Sequence, residues 1–558
     1  MSVAARRPWA SHAIFAAGVL LLVALRYALV DGFHLHATFI PHDDQLYIKR
    51  AYWLLTDGTL GPLDARTFVK LPGYSFYLAA LGALGVPYLS FMFFLHVGSG
   101  LYAATALRGR GPGDAVILAA FGLFLFNPAT LDMDYFRAMR EPLNVALMTL
   151  GVGASLRLVL SARERRRDLV ALAILAVAVA VMPLVREDDV LVLVLPVLAA
   201  AACSWFAPGI GWRRCLVVAL VPLAVAGAAN AGMRAWIGQV YGVPLLHDFS
   251  EGAFPELVAT LRAVESGRDN RHVMISQETL GKVFAQVPEM QGTISRIAKP
   301  GTGSYSCQRF RVCSEWTNGY FPFWLKDAVF DAAPSSDLLG SQARLRQLSA
   351  RIREACGDGR LSCNEPRGGL IPRMELKWTR VLLQELVGTV RMTLRPEYGS
   401  PGSIPQSPLD HETTQMYVTV IHGSLDPAFV PSTSMKAGVA ASDPQAGRRD
   451  LIRRIAKLYR AFAWMVAVAG LAGFLYVVYA GGPRRAASGE TVLASIVVPL
   501  VCLKVAALTY VSVYMGYLDP RVFASSHCLL LLLGLPMAQG AIAVYRADAS
   551  ALRNRRAA

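Results

Sequence analysis

The chain has 558 residues, 54% of them hydrophobic and only 17% charged, a balance too apolar for an ordinary soluble enzyme. A net charge of +16 would suit a nucleic-acid binder. Here, however, the arginines cluster in short loops between apolar runs of about 20 residues, each long enough to cross a bilayer as a helix. The composition thus argues against a nucleic-acid partner and predicts an all-α polytopic membrane protein with about ten transmembrane helices.

The first span, roughly Ser11 to Val30, follows Arg6 and Arg7. It is longer than the apolar core of a signal peptide and lacks a small-residue cleavage site, so it reads as an uncleaved anchor. Next comes Pro41 to Tyr74, PHDDQLYIKRAYWLLTDGTLGPLDARTFVKLPGY. It opens on Asp43 and Asp44 and continues as an amphipathic run with Leu46, Ile48, Tyr52, Trp53 and Leu55 on its apolar side. It closes on the tight segment Lys70-Leu71-Pro72-Gly73-Tyr74. Adjacent acids this close to a span are costly unless they serve a function. An interfacial helix (about 74–87) and a second span (about 89–107) follow, then further spans at about 114–128, 142–160, 169–185, 190–206 and 215–233. The last three are expected at about 459–480, 491–514 and 522–545.

Between them lies a long polar region, 235–455, with no spanning run. Amphipathic periodicity predicts helices at about 255–266, 275–287, 320–332, 337–356 and 373–394. The Pro-, Ser-, Gly- and Thr-rich stretch 397–447 reads as loop. Three parts result: a membrane module with seven spans (1–234), an extracytoplasmic domain (235–455), and three C-terminal spans with a basic tail (456–558). Two close cysteine pairs in the polar region, Cys307 with Cys313 and Cys356 with Cys363, suggest short-loop disulfides. Free thiols or cross-pairing are the alternatives, and no histidine stands at zinc-ligand spacing beside them.

The arginine clusters at 6–7, 108–110, 163–167, 213–214, 484–485 and 546–556 all fall on one side of this ten-span arrangement, which places both termini in the cytoplasm. The remaining acids and bases then collect in the outer loops. They are Asp43, Asp44 and Lys70; Asp132, Asp134, Arg137, Arg140 and Glu141; Arg186, Glu187 and Asp188; and Asp519 and Arg521. Arg140, Arg186 and Arg521 run against the positive-inside trend and are candidates for holding an anion. No internal repeat is visible, so an inverted-repeat transporter is not supported.

The order of these features resembles the GT-C superfamily of polyprenyl-phosphate-sugar-dependent glycosyltransferases, which includes the protein O-mannosyltransferases and the lipid A aminoarabinose transferase. The resemblance rests on His42-Asp43-Asp44-Gln45-Leu46-Tyr47, Ala51-Tyr52, Leu71-Pro72-Gly73-Tyr74, Arg140-Glu141-Pro142 and Arg186-Glu187-Asp188. It covers roughly residues 10–235 and, more weakly, the last spans. A large insertion before the last three spans departs from the family, whose soluble domain is usually C-terminal.

The resemblance implies a GT-C-like fold in a bacterial inner (cytoplasmic) membrane, with the active site facing the periplasm. The implied reaction moves a sugar, hexosyl or pentosyl, from a polyprenyl-phosphate donor to a glycan, lipid or protein acceptor with inversion. Asp43 is then the general base, with Asp44 as alternate. Lys70, Arg140, Arg186 and Arg521 would hold the donor phosphate, because an arginine fork pairs with phosphate oxygens. Tyr47, Tyr74, Asp132, Asp134, Arg137, Glu141, Glu187 and Asp188 would line the substrate site. A divalent cation, Mg or Mn, stays open: a carboxylate pair can bind one, but arginine can neutralise a single phosphate alone.

Each assignment has a simpler rival. Asp43 and Asp44 could cap the helix that follows. Asp132 and Asp134 could sit in a solvated loop. Arg140 and Arg186 could form structural bridges with Glu141 and Glu187. Lys70 could be a snorkelling lysine and Arg521 a leaflet anchor. His42 and His247 read as ordinary satisfied histidines. Other functional classes are a polymerase or ligase of lipid-linked saccharides, a flippase, and a non-catalytic assembly protein.

Overall fold

The computed structural model describes residues 8–37, 43–265, 270–294, 307, 311–332, 337–365, 376–396, 409–425, 446–485, 488–515 and 518–557. Arg6-Arg7, His42 and most of the 397–447 stretch lie outside the described residues. Apolar helices stand at all ten expected positions, and eight are long and apolar enough to cross a membrane. Along the first half they are α1 (Pro8–Val30), α4 (Tyr88–Ala106), α6 (Glu141–Arg163), Glu187–Phe206 and α9 (Trp212–Tyr241), the fourth being a 3-10 segment (Glu187–Val194) that runs into α8 (Leu195–Phe206). The C-terminal three are α17 (Ala446–Arg485), α18 (Gly489–Met515) and a 3-10 turn at Pro520–Phe523 continuing into α19 (Ala524–Ala557). The other two are shorter, α5 (Asp114–Leu125) and α7 (Leu169–Val185). Two further helices, α2 (Asp43–Thr56) and α3 (Gly73–Ala83), lie between the first and second spans.

Polar ties separate the two ends of the bundle. At one end Arg108 pairs with Asp114 (3.1 Å), Arg110 with Glu164 (2.8 Å), and the Gly489 amide donates to the Arg110 carbonyl (2.9 Å). The basic loops therefore meet there, as the positive-inside reading expects. The loops carrying Asp43, Lys70, Arg140, Arg186 and Asp519 gather at the other end. Within the bundle, small residues let backbones close on each other. A Cβ on Gly470 would sit 2.6 Å from the Gly534 Cα, and one on Gly73 would sit 2.5 Å from the Leu184 carbonyl. The glycine of the Leu-Pro-Gly-Tyr segment is thus required for α3 to reach the end of α7.

The polar region divides between two cores. Helices α10 (Ala253–Ala263), α11 (Gln277–Gln286), α13 (Phe321–Ala332) and α14 (Leu338–Gly357), with the single turn α12 (Gln291–Ile294) beside them, close a core of their own. In α10 the stripe Phe254, Leu257, Val258 and Leu261 is fully buried, each such side chain contributing about 1.5–3 kcal/mol. Both expected disulfides form, Cys307–Cys313 and Cys356–Cys363. Helix α15 (Thr379–Leu394) instead packs on the last spans. Glu385 accepts from Ser512 (2.7 Å), and the Thr393 carbonyl faces His527 Nδ1 (3.1 Å).

A further helix stands inside the stretch read as loop: α16 (His411–Ile421). Asp410 caps it through the Thr413 amide (2.7 Å) and hydroxyl (2.8 Å). Its buried face, Thr413, Met416, Tyr417, Val420 and Ile421, joins the core of the membrane module against α2 and α3. Among the described residues there are only isolated β-bridges and no sheet.

Candidate active site

Asp43 and Asp44 form the first turn of α2, where free backbone amides and the helix dipole favour carboxylates. Successive residues on a helix point about 100° apart, so the two acids have different fates. Asp44 turns inward, fully buried. Arg137 holds it with Nε 3.1 Å from one oxygen and Nη2 3.1 Å from the other. Tyr417 of α16 closes over the pair; burial first, and then the charge of Asp44, pushes its phenol well above the usual range. Asp43 keeps 30% of its side chain exposed and meets Lys70 Nζ at 3.0 Å. A divalent cation at this pair would have to displace Lys70 and Arg137. Among the described residues, no three His, Cys, Asp or Glu side chains are placed to hold a metal ion.

Lys70 is fixed by its own loop. Arg50 of α2, buried and lowered by that burial to about 10, donates to the carbonyls of Lys70 (3.1 Å), Arg66 (2.9 Å) and Thr67 (2.7 Å). The Asp248 amide donates to the Phe68 carbonyl (2.8 Å), and His247 Nε2 meets the Val69 carbonyl (3.1 Å). Phe323 of α13 stacks 5.9 Å from Lys70 Nζ, and Asp327 forms a two-pronged bridge with Arg66 (2.7 and 3.3 Å). Lys326, on the same helix, pairs with buried Asp248.

The second half of the cluster comes from the ends of α6 and α7. Pro183 lies near the last turn of α7, and Arg186 follows in extended backbone (φ −139, ψ 140). Its guanidinium takes Asp188 with two nitrogens (2.8 and 3.0 Å) and reaches Glu141 at 3.3 Å. Arg140, at the N-cap of α6, bridges to Glu187 (2.8 Å) and the Val185 carbonyl (3.3 Å) and lies 5.9 Å over the Tyr47 ring. The Tyr74 hydroxyl donates to the Met139 carbonyl (2.6 Å) and its ring meets Tyr47 edge-on at 4.9 Å. Tyr74 is fully buried, so in this state it fixes the loop carrying Arg140. Asp519 and Arg521 pair with each other; burial raises the Asp519 carboxyl, but the Arg521 hydrogen bonds and charge, with a smaller part from Arg186, hold it below its usual range.

Two solved structures are similar to the chain. They are crystal structures of ArnT from Cupriavidus metallidurans, one bound to undecaprenyl phosphate and one in the apo state. Each is 13% identical with a TM-score of 0.29; the matches cover 96% and 95% of this chain and 78% of theirs. No protein-family model matches the chain, and no curated protein matches it.

The expected residues Asp43, Asp44, Tyr47, Lys70, Tyr74, Arg137, Arg140, Glu141, Arg186, Glu187 and Asp188 meet in one network. Asp132 is buried just before it. Asp134 lies on the 3-10 turn Met133–Phe136, with its side chain outside the described part of the structure. Lys504 and Asn144 join it as well, and His247, an ordinary satisfied histidine by sequence, borders it with both ring nitrogens engaged. Lys504 of α18 is buried 4.0 Å from Asp188, 3.9 Å from Asp189 and 3.0 Å from the Ser525 hydroxyl. Asn144 donates to Asp189. His247 stands 3.6 Å from Glu187 and 3.0 Å from the Ser250 hydroxyl. Lys504 had a signal, a lone cation within a clean apolar span. Arg50, Asn144 and Tyr417 had none beyond their residue type.

Proposed function

We propose that the chain transfers a sugar from a polyprenyl-phosphate donor to a hydroxyl acceptor on the side of the membrane away from its basic loops, with inversion at the anomeric carbon. One observation carries the reading: Asp43, the more open of the two leading acids, stands at the edge of a buried network rich in arginine and lysine. The acceptor hydroxyl attacks the anomeric carbon while Asp43 takes its proton. The bond from that carbon to the phosphate oxygen breaks, and the electron pair leaves with the polyprenyl phosphate. Lys70, Arg140, Arg186 and Arg521 are assigned to that phosphate, where fixed cations stabilise the charge that develops. Their present carboxylate partners hold them in place and would share them with the donor. A dry, preorganised site makes such charges count for more than they would in water.

The first alternative, a polymerase or ligase of lipid-linked saccharides, would draw on arginine and histidine of the outer region. His247 stands 3.6 Å from Glu187, but both its ring nitrogens are engaged, by Ser250 and by the Val69 carbonyl. Purified protein incubated with a synthetic lipid-phosphate sugar and a panel of glycan, lipid and peptide acceptors tests the proposal. Release of free polyprenyl phosphate together with a glycosylated acceptor is expected. A protein that binds the donor and never releases its sugar, with any acceptor, would refute it.

A further inference from the structure

At the end of the bundle opposite the candidate active site, a cavity of about 380 Å³ opens between α6, α7, α8 and α9. Leu158, Leu172 and Val218 line its apolar part, and Arg166, Arg167, Arg213 and Arg214 line its polar part. An adjoining hollow of about 680 Å³ shares Ala162, Ile210 and Arg214 with it.

Three features of this place are unusual for a mere loop junction. Arginine is present without neutralisation: among the described residues, Arg167, Arg213 and Arg214 have no carboxylate partner, and Arg166 has only a distant one, Glu164 at 3.9 Å. Asp168 is the one acid among the cavity residues, and it caps α7 through the Ala171 amide (2.9 Å). The apolar part is open sideways, where Leu169 is 70% and Val217 48% exposed on the outer faces of α7 and α9. Exposed tryptophans stand beside it: Trp205, in the last turn of α8, lines the adjoining hollow, and Trp212 starts α9 with Arg213 5.8 Å from its ring centre. That is the residue type favoured at a membrane–water boundary.

We infer that this cavity is a binding site for an anionic phospholipid of the inner leaflet. Its phosphate headgroup lies among Arg166, Arg167, Arg213 and Arg214, and its acyl chain leaves over Leu172, Leu169 and Val217 into the bilayer. Paired arginine forks fit phosphate oxygens, and basic pockets between spans on the cytoplasmic side select anionic headgroups. Free inorganic phosphate shares the headgroup chemistry but has nothing to place over Leu172 and Val217. The sideways opening therefore favours the lipid.

The test uses the full chain, purified in detergent and stripped of lipid, titrated with phosphatidylglycerol, phosphatidylcholine or inorganic phosphate and read by native mass spectrometry. Phosphatidylglycerol is expected to bind at least about tenfold more tightly than phosphatidylcholine. The Arg166→Gln, Arg167→Gln, Arg213→Gln, Arg214→Gln variant should lose that preference. Removing four basic residues disturbs the charge that orients the spans, so Leu172→Trp, which fills the cavity and leaves the charge intact, is the second variant. It should weaken phosphatidylglycerol binding by a similar factor. Equal binding of both lipids, unchanged binding in Leu172→Trp, or inorganic phosphate competing as strongly as the lipid would each overturn the inference.

Discussion

Arg137 grips Asp44 with two nitrogens, each 3.1 Å from a different carboxylate oxygen, while Asp43, one residue earlier, is left at the edge with Lys70. Neighbouring acids of the same type thereby acquire separable roles. Asp43→Asn keeps size and cap but cannot accept a proton. Turnover is expected to fall by about 10²–10⁴-fold with donor binding retained. If Asp43 only caps α2, asparagine serves as well and the rate holds.

Asp44→Ala should act on folding instead. It leaves the Arg137 charge buried without its partner, a loss of on the order of 3–5 kcal/mol. The expected readout is a large drop in the unfolding temperature of the detergent-solubilised protein. A stable Asp44→Ala protein that has lost only activity would transfer the base role to this residue.

Arg140→Ala and Arg186→Ala test the donor phosphate. Losing a hydrogen bond to a charged group costs about 1.5–3 kcal/mol, so donor affinity should fall roughly tenfold to a hundredfold. Titration with the lipid phosphate alone, without its sugar, measures this. Undiminished affinity in both variants would leave the arginines as purely structural bridges.

Acid should loosen the contact between the outer helices and the membrane module. Burial lowers the pKa of His247, with Lys70 and Arg140 adding to the effect and Glu187 opposing it. A histidine lowered in the fold takes its proton more readily when unfolded. The stability it contributes is therefore fully present above about pH 6.5 and declines as the pH falls below that. His247→Gln should flatten this part of the stability curve between pH 7.5 and 5. A curve that keeps its slope in the variant assigns the effect to other groups.

Gly73→Ala should destabilise by about 1–3 kcal/mol, because the new Cβ would sit 2.5 Å from the Leu184 carbonyl and would push α3 away from α7. A variant that is fully stable would show that this approach can relax.

Much of this was legible from period and charge. Apolar runs placed the ten helices, and the basic loops Arg108–Arg110 and Arg163–Arg167 fixed which ends meet. The carboxylates and cations of the outer loops were also visible as types in the right loops. What could not be read was pairing. Nothing in the order of residues says that Arg137 takes Asp44 rather than Asp43, because the one-residue turn of a helix decides it. Helix α16 shows the same limit differently. Its stripe Thr413, Met416, Tyr417 and Val420 and its Asp410 cap are in the sequence, but Pro- and Ser-rich flanks hid an 11-residue signal. Lys504 joins the network only because α18 and the Arg186 loop are brought together by the rest of the chain.

The loop that carries Lys70 is held from two sides, by Arg50 from the membrane module and by Asp248, Phe323 and Asp327 from the polar region. That has a consequence for heredity and for engineering. The polar region is not a cassette: a version borrowed from another protein would arrive without partners for Arg66, Phe68 and Lys70. Recombination at its borders would break the Lys70 loop rather than exchange a self-contained module. Chimeras should succeed only when residues 57–72 travel with the insert.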